Sequence, residues 1–104
     1  MSKCKITVVK RLFNKDLIDD HCSLNLPPQC TGCPKNKEGQ AFYVENHNEV
    51  PEGFCSWAWA DIQRDVTTVM FGGSFPWIKE KGMAIACCTD GLMPVVFKIE
   101  KVEE

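Results

Sequence analysis

The sequence predicts an α+β fold in which a small, largely antiparallel, curled sheet or partial barrel packs against one main helix. Three observations predict it: strand-like alternation near the start of the chain, one long amphipathic helix in the middle, and an Asp-Gly turn between two apolar runs near the end. The elements follow the order βαβ-loop-αββ, which is typical of an α+β domain. A length of 104 residues suits one domain, so we expect a single domain over 1–104.

The first part of the chain predicts a strand followed by a short helix. Residues 4–10 alternate in polarity, with Cys4, Ile6 and Val8 on the apolar face. This period of two is that of a half-buried strand, in which Cys4 packs as a small apolar side chain. Asn14 is a suitable N-cap for the short helical turn that comes next.

A long loop and a second strand are predicted next. Residues 23–38 lack periodicity and are interrupted by prolines and a glycine, so we expect a loop. Such a long loop inside a compact domain needs something that orders it, and a bound ion is one such thing. The strand that follows, residues 40–45, places Phe42 and Val44 on its inner face.

The main helix is predicted from Ser56 to Phe71. Its apolar residues recur at helical spacing and form one buried stripe: Trp59, Ile62, Val66, Val69 and Met70. Ser56 is placed to cap the helix, and two glycines follow its end. Trp57 lies about 200° around the helix from Trp59, so both cannot enter the same core. One of them should therefore meet a loop, a ligand or another subunit.

The C-terminal runs "MAIACC" and "PVVFKIEKV" predict a β-hairpin around Asp90-Gly91. If these two residues form the loop, Cys88 faces inward with the apolar side chains of the last strand. A one-residue bulge would turn Cys87 inward instead. The sequence leaves the choice between Cys87 and Cys88 open.

Composition excludes several classes of function. The net charge is −2 and there is no basic block, so we expect no nucleic-acid partner. There is no apolar run near the roughly 18 residues of a membrane span, and the start of the chain is too charged for a signal peptide. We therefore expect a cytoplasmic protein that does not bind membranes. In that compartment the thiols of its seven cysteines would be held reduced.

Cys30 and Cys33 form a Cys-x-x-Cys motif inside the predicted loop. This spacing lets two sulfurs point at one centre, and Gly32 gives the turn its freedom. A redox pair of the thioredoxin type would instead open a helix near a βαβ unit. A metal or cluster site, a redox pair and inert thiols all stay open as interpretations.

A metal needs further ligands, and other cysteines supply candidates. Cys55 lies just before the main helix, on its inner side. The predicted metal ligands are therefore Cys30, Cys33, Cys55 and one of Cys87 or Cys88, which would hold an iron–sulfur cluster or zinc. No catalytic residue and no organic cofactor site is predicted, and whether the protein is an enzyme stays open.

The segments "KITVVKR", "EGQAFYV", "PEGFCSWAWADI" and "IACCTDGLMPVVFKIEKVEE" resemble an uncharacterised family of small cysteine-bearing proteins found mainly in anaerobic bacteria and archaea. The resemblance covers nearly the whole chain and brings no activity with it. It implies a site built from a cysteine in the loop before "EGQAF", Cys55, and Cys87 or Cys88. Relatives often have arginine where this chain has Met93. An anaerobic host would favour an iron–sulfur cluster over zinc.

These observations lead to one main hypothesis and two alternatives. The main one is a cytoplasmic metal- or iron–sulfur-binding module whose thiolates come from the loop, the helix start and the hairpin. The first alternative is a thiol redox or sulfur-handling protein that uses Cys30 and Cys33. The second is a homo-oligomeric interaction module with inert thiols and Trp57 at the contact.

Overall fold

The computed structural model describes residues 2–103, the side chains of Ser2 and Glu103 excepted. It confirms the predicted α+β class and the predicted order of elements. The helices and strands are β1 (Ser2–Arg11), α1 (Lys15–His21), β2 (Ala41–Val44), α2 (Ser56–Met70), β3 (Met83–Cys87) and β4 (Val95–Glu103).

The four strands form one open sheet in the order β2-β1-β4-β3, and every neighbouring pair is antiparallel. Helix α2 packs across one face and contacts β1, β3 and β4. The opposite face is partly open to solvent and presents Tyr43 and Ile85. The sheet therefore has a covered side, where the core lies, and an uncovered side.

The alternation predicted for β1 is confirmed. Cys4, Ile6 and Val8 are completely buried under α2, and Ile6 and Val8 lie opposite Ile99 and Phe97 of β4. Burying an aliphatic side chain of this size stabilises the fold by roughly 1.5–3 kcal/mol. Packing at this central pair of strands is thus a large contribution to stability.

The apolar stripe predicted for α2 is also buried, but the predicted cap is wrong. The N-cap is Cys55 rather than Ser56, because the carbonyl of Cys55 already accepts the N–H of Trp59 at 2.9 Å. The helix ends as predicted at two glycines. Gly72 has a φ of +89°, and the N–H of Gly73 donates to the carbonyl of Thr68 at 2.8 Å, as in a Schellman motif.

The structure resolves the register of the predicted hairpin. The connection between β3 and β4 spans residues 88–94, so the two-residue loop around Asp90-Gly91 is wrong in length. The observed pairing of the two strands nevertheless turns the same cysteine inward as a two-residue loop would. The N–H of Cys88 donates to the carbonyl of Val95 at 3.1 Å. Cys88 consequently faces the core, and Cys87 is exposed on the other side of the sheet.

Within residues 2–103, no helix is both long and apolar enough to cross a membrane.

Candidate functional site

Three thiols from distant parts of the chain line one cavity of about 360 Å³. They belong to Cys33 in the long loop, Cys55 at the start of α2 and Cys88 at the end of β3. The lining is otherwise mainly apolar, with polar side chains from Lys35, Asn36 and Asp90. The structure thus gathers three of the five sequence-predicted metal ligands, one from each predicted segment.

Arg11, the last residue of β1, fixes the loop segment that carries Cys33. Its guanidinium donates two hydrogen bonds to the Cys33 carbonyl, from Nε at 3.2 Å and from Nη2 at 2.8 Å. Gly32 packs directly against this side chain: a Cβ at Gly32 would lie 3.3 Å from three Arg11 atoms. The glycine of the Cys-x-x-Cys motif therefore allows this close packing, and a larger residue would require the Arg11 side chain to shift.

An aromatic anchor fixes the position of Cys55. The preceding residue, Phe54, is buried and makes edge-to-face contacts with Phe42 at 4.9 Å and with Trp59 at 6.2 Å between ring centroids. Such aromatic pairs are worth about 0.5–1.5 kcal/mol beyond the area they bury. Because Phe54 is held in the core, the half-buried side chain of the next residue, Cys55, lies beside the cavity where α2 begins.

A hydrogen-bond network ties the segment after Cys88 to helix α2. The carboxylate of Asp61 accepts the backbone N–H of Thr89 at 2.7 Å and its hydroxyl at 3.0 Å. The indole N–H of Trp57 donates to the same hydroxyl at 3.1 Å. The Trp57 ring stays 64% exposed and also lines the cavity. The hairpin connection is thereby held over the helix start.

Two of the three cavity sulfurs accept hydrogen bonds from N–H groups. The backbone N–H of Val95 donates to Sγ of Cys88 at 3.3 Å, in a buried position. The side-chain amide of Asn36 donates to Sγ of Cys33 at 3.9 Å. Donors aimed at a sulfur stabilise negative charge on it, so this environment suits thiolates.

The other two predicted ligands lie elsewhere. Cys30 lines a separate cavity of about 670 Å³ together with Cys22, and its thiol donates to the carbonyl of Gly32 at 3.5 Å. Cys87 is exposed on the uncovered side of the sheet. The two cysteines of the Cys-x-x-Cys motif therefore point into different cavities.

Cys4 occupies a third kind of environment, the core itself. Its thiol donates to the carbonyl of Val66 at 3.7 Å. Burial raises the pKa of the Cys4 thiol to about 11, although the positive charge of Lys101 opposes the rise. Cys4 therefore stays protonated and unreactive at neutral pH, as expected for a core residue.

The three cavity cysteines come from separate segments and are not linked to one another. All seven cysteines are free thiols. Across residues 2–103, no three Cys, His, Asp or Glu side chains are already arranged to hold a single metal ion. A metal group in this cavity would be bound by side chains from three separate segments.

Sequence reasoning did not single out Arg11, Asn36 or the Asp61–Thr89 pair. Each acts through a contact between segments far apart in the chain, so no local pattern marks it. Gly32 indicates part of this arrangement, since a glycine inside a Cys-x-x-Cys motif is typical of a tight turn or of close packing against another side chain.

Comparisons of the chain with family models, with curated protein sequences and with solved structures returned no match. The family resemblance of its motifs stays a prediction, and the function is argued below from the geometry of the cavity.

Proposed function

We propose that the protein is a small cytoplasmic module that binds an iron–sulfur cluster through Cys33, Cys55 and Cys88. The observation that carries the proposal is the meeting of three thiols from three distant segments in one cavity. Thiolates are the soft, charged donors that iron–sulfur clusters and zinc prefer. Bound there, the cluster would fasten the long loop to the helix and the hairpin.

The size of the cavity and the separate origins of its three cysteines support a cluster over a single zinc ion. Zinc needs its thiolates at about 2.3 Å from one point, which brings the ligand sulfurs close together. In a [4Fe–4S] cluster each thiolate binds a different iron atom, so the ligand sulfurs are farther apart than around a single zinc ion. A cavity of about 360 Å³ lined by three cysteines from separate segments has room for such a cluster.

The N-terminus of α2 beside the cavity also favours an anionic group. Iron–sulfur clusters with thiolate ligands carry negative charge. Cys55 lies at the N-terminus of α2, where the helix dipole favours negative charge, and the first residues of that helix, "SWAW", include no acid. Lys35 adds a positive side chain to the lining, whereas Asp90 is the one acid there.

The two alternatives receive less support. A redox pair of Cys30 and Cys33 requires the two sulfurs to meet, yet they line different cavities. An oligomeric contact through Trp57 is compatible with its exposed ring, but its indole N–H is already used within the chain.

Anaerobic reconstitution with iron and sulfide tests the proposal. We expect bound iron and acid-labile sulfide in stoichiometric amounts, with the visible absorption of a cluster. Cys55→Ser should abolish both, and the matched variant Cys87→Ser should retain both. Uptake of zinc without any cluster would contradict the cluster, and a folded protein that takes up neither metal would contradict metal binding altogether.

A further inference from the structure

Asn36 is the one polar residue that is buried among those the structure describes, with 4% of its surface exposed. Its neighbours Lys35 and Lys37 are both exposed, as expected in a surface loop. Burying an amide is costly unless it is hydrogen-bonded. The position of Asn36 therefore calls for an explanation in the contacts that its amide makes.

The Asn36 amide points toward a sulfur. Its Nδ2 lies 3.9 Å from Sγ of Cys33, and the residue lines the same cavity as the three thiols. Cys88 has a comparable donor in the backbone N–H of Val95 at 3.3 Å. The donor to Cys88 is a backbone N–H of β4, which only a proline substitution would remove, at the cost of disturbing the strand. The donor to Cys33 is a side chain, so its contribution can be tested by substitution.

An N–H···S bond has two consequences for a ligand sulfur. It holds the side chain in one orientation, and it stabilises negative charge on the sulfur. In iron–sulfur proteins, hydrogen bonds to the sulfurs are among the factors that set the reduction potential. A donor stabilises the reduced cluster more than the oxidised one, because the reduced cluster carries more negative charge.

We infer that Asn36 is a positioning residue of this site: its amide holds the Cys33 sulfur toward the cavity and raises the reduction potential of the bound cluster. This inference rests on the proposed function, because it concerns the cluster that Cys33 would ligate. A role in loop packing alone would predict that changes at Asn36 alter stability and leave the potential unchanged.

Redox titration of reconstituted variants distinguishes these roles. Asn36→Leu keeps the approximate size of the side chain and removes the donor, and Asn36→Ala removes the donor without adding bulk. Asn14→Leu is the matched control, because the Asn14 amide donates to the carbonyl of Gly91 at 2.6 Å rather than to a sulfur. Iron and sulfide contents are measured first, and the midpoint potential is then determined on the loaded protein.

We expect both Asn36 variants to load a cluster whose midpoint potential is shifted to more negative values, while Asn14→Leu keeps the wild-type potential. A wild-type potential in either loaded Asn36 variant would overturn the inference and leave the proposed function standing. Failure of the wild-type protein to load a cluster would overturn both. The two Asn36 variants remove the donor in different ways. If one of them fails to bind a cluster, the midpoint potential of the other still tests the inference.

Discussion

The cavity lined by Cys33, Cys55 and Cys88 differs from the cavity lined by Cys22 and Cys30 in what surrounds the sulfurs. In the first, the thiols come from three segments, and two of the sulfurs accept N–H groups. In the second, both thiols come from one stretch of chain, and that of Cys30 donates its proton to a carbonyl. In the first cavity the sulfurs of Cys33 and Cys88 act as hydrogen-bond acceptors, whereas in the second the sulfur of Cys30 acts as a donor.

Spacing along the chain does not determine which cavity a cysteine lines. Cys30 and Cys33 share one motif, yet the loop turns between them so that each faces a different cavity. Arg11 holds the Cys33 end of that turn, while the N–H of Cys30 donates to the carbonyl of Pro27 at 2.9 Å. Contacts on either side of the turn thus accompany the placement of the two cysteines in different cavities.

The largest expected effect comes from exchanging one cysteine in each cavity. Cys33→Ser should eliminate the bound cluster, because it removes one of three thiolates and a serine hydroxyl is a harder donor. Cys30→Ser should leave the iron and sulfide contents at wild-type levels. Iron and sulfide analysis after anaerobic reconstitution measures both. Equal loss in the two variants would mean that the cavities are not distinct in function.

The next effect concerns Arg11, whose side chain holds the backbone at Cys33. Arg11→Leu removes two hydrogen bonds to the Cys33 carbonyl, which together are worth about 1–3 kcal/mol. The affinity for the cluster should fall by about tenfold or more, since 1.4 kcal/mol corresponds to a factor of ten. Arg11→Lys should restore it only partly, because an ammonium cannot reproduce the guanidinium fork.

Competition for the cluster with an iron chelator measures this affinity. Lys10→Leu, which removes the neighbouring exposed charge, is the control and should behave as wild type. If Arg11→Leu retained its cluster against the chelator as well as the control does, the guanidinium would not position Cys33.

A smaller effect is expected from the hydrogen bonds that hold the connection between β3 and β4 against α2. Asp61→Asn replaces the carboxylate that accepts two hydrogen bonds from Thr89, and a bond to a charged group contributes roughly 1.5–3 kcal/mol. We expect the free energy of unfolding to fall by about 1.5 kcal/mol, because the amide can still accept one of the two bonds. Urea denaturation of the metal-free protein measures it.

Asp65→Asn is the matched control on the same helix. Its carboxylate lies 4.0 Å from the exposed Arg64 side chain, a geometry that contributes little. The control should change stability by less than about 0.5 kcal/mol. A similar loss in both variants would indicate a general effect of helix charge rather than the loss of these hydrogen bonds.

The smallest effect separates the core cysteine from the cavity cysteines. Burial raises the pKa of Cys4 from 9.0 to about 11, so folding favours its protonated form. That contribution is complete below pH 9 and is lost as the pH rises toward 11. Stability should fall by about 1 kcal/mol between pH 8 and pH 10 from this group, at 1.4 kcal/mol per pH unit. Cys4→Ala should show a shallower decline in urea titrations over this range, and an unchanged slope would contradict the assignment.

Much of the fold could be predicted because the relevant patterns are local. The alternation of Cys4, Ile6 and Val8 and the apolar stripe of α2 each repeat within a few residues, and both are buried as predicted. The same periods, two residues in β1 and about 3.6 residues in α2, also predict which face of each element is buried. Cys55 was correctly placed beside the helix start, since the apolar stripe extends backwards to it.

The cavity could be predicted only in part, because its geometry depends on distant contacts. The loop around Cys30 and Cys33 lacks a period, so nothing local indicates that the two sulfurs diverge. Whether Cys87 or Cys88 faces inward depends on how the two strands of the hairpin pair, and the sequence does not determine that pairing. The predicted short loop and the longer observed connection both turn Cys88 inward. Asn36 is one polar residue among several in a loop, and only the folded chain shows that it is buried.

The most direct test of the account is a differential alkylation experiment on the reconstituted protein. The loaded and metal-free forms are treated with a thiol reagent under anaerobic conditions, and the modified cysteines are identified by mass spectrometry. We predict that loading protects Cys33, Cys55 and Cys88 and leaves Cys30 and Cys87 as reactive as in the metal-free form. Protection of Cys30 together with continued labelling of Cys88 would contradict the proposed ligand set.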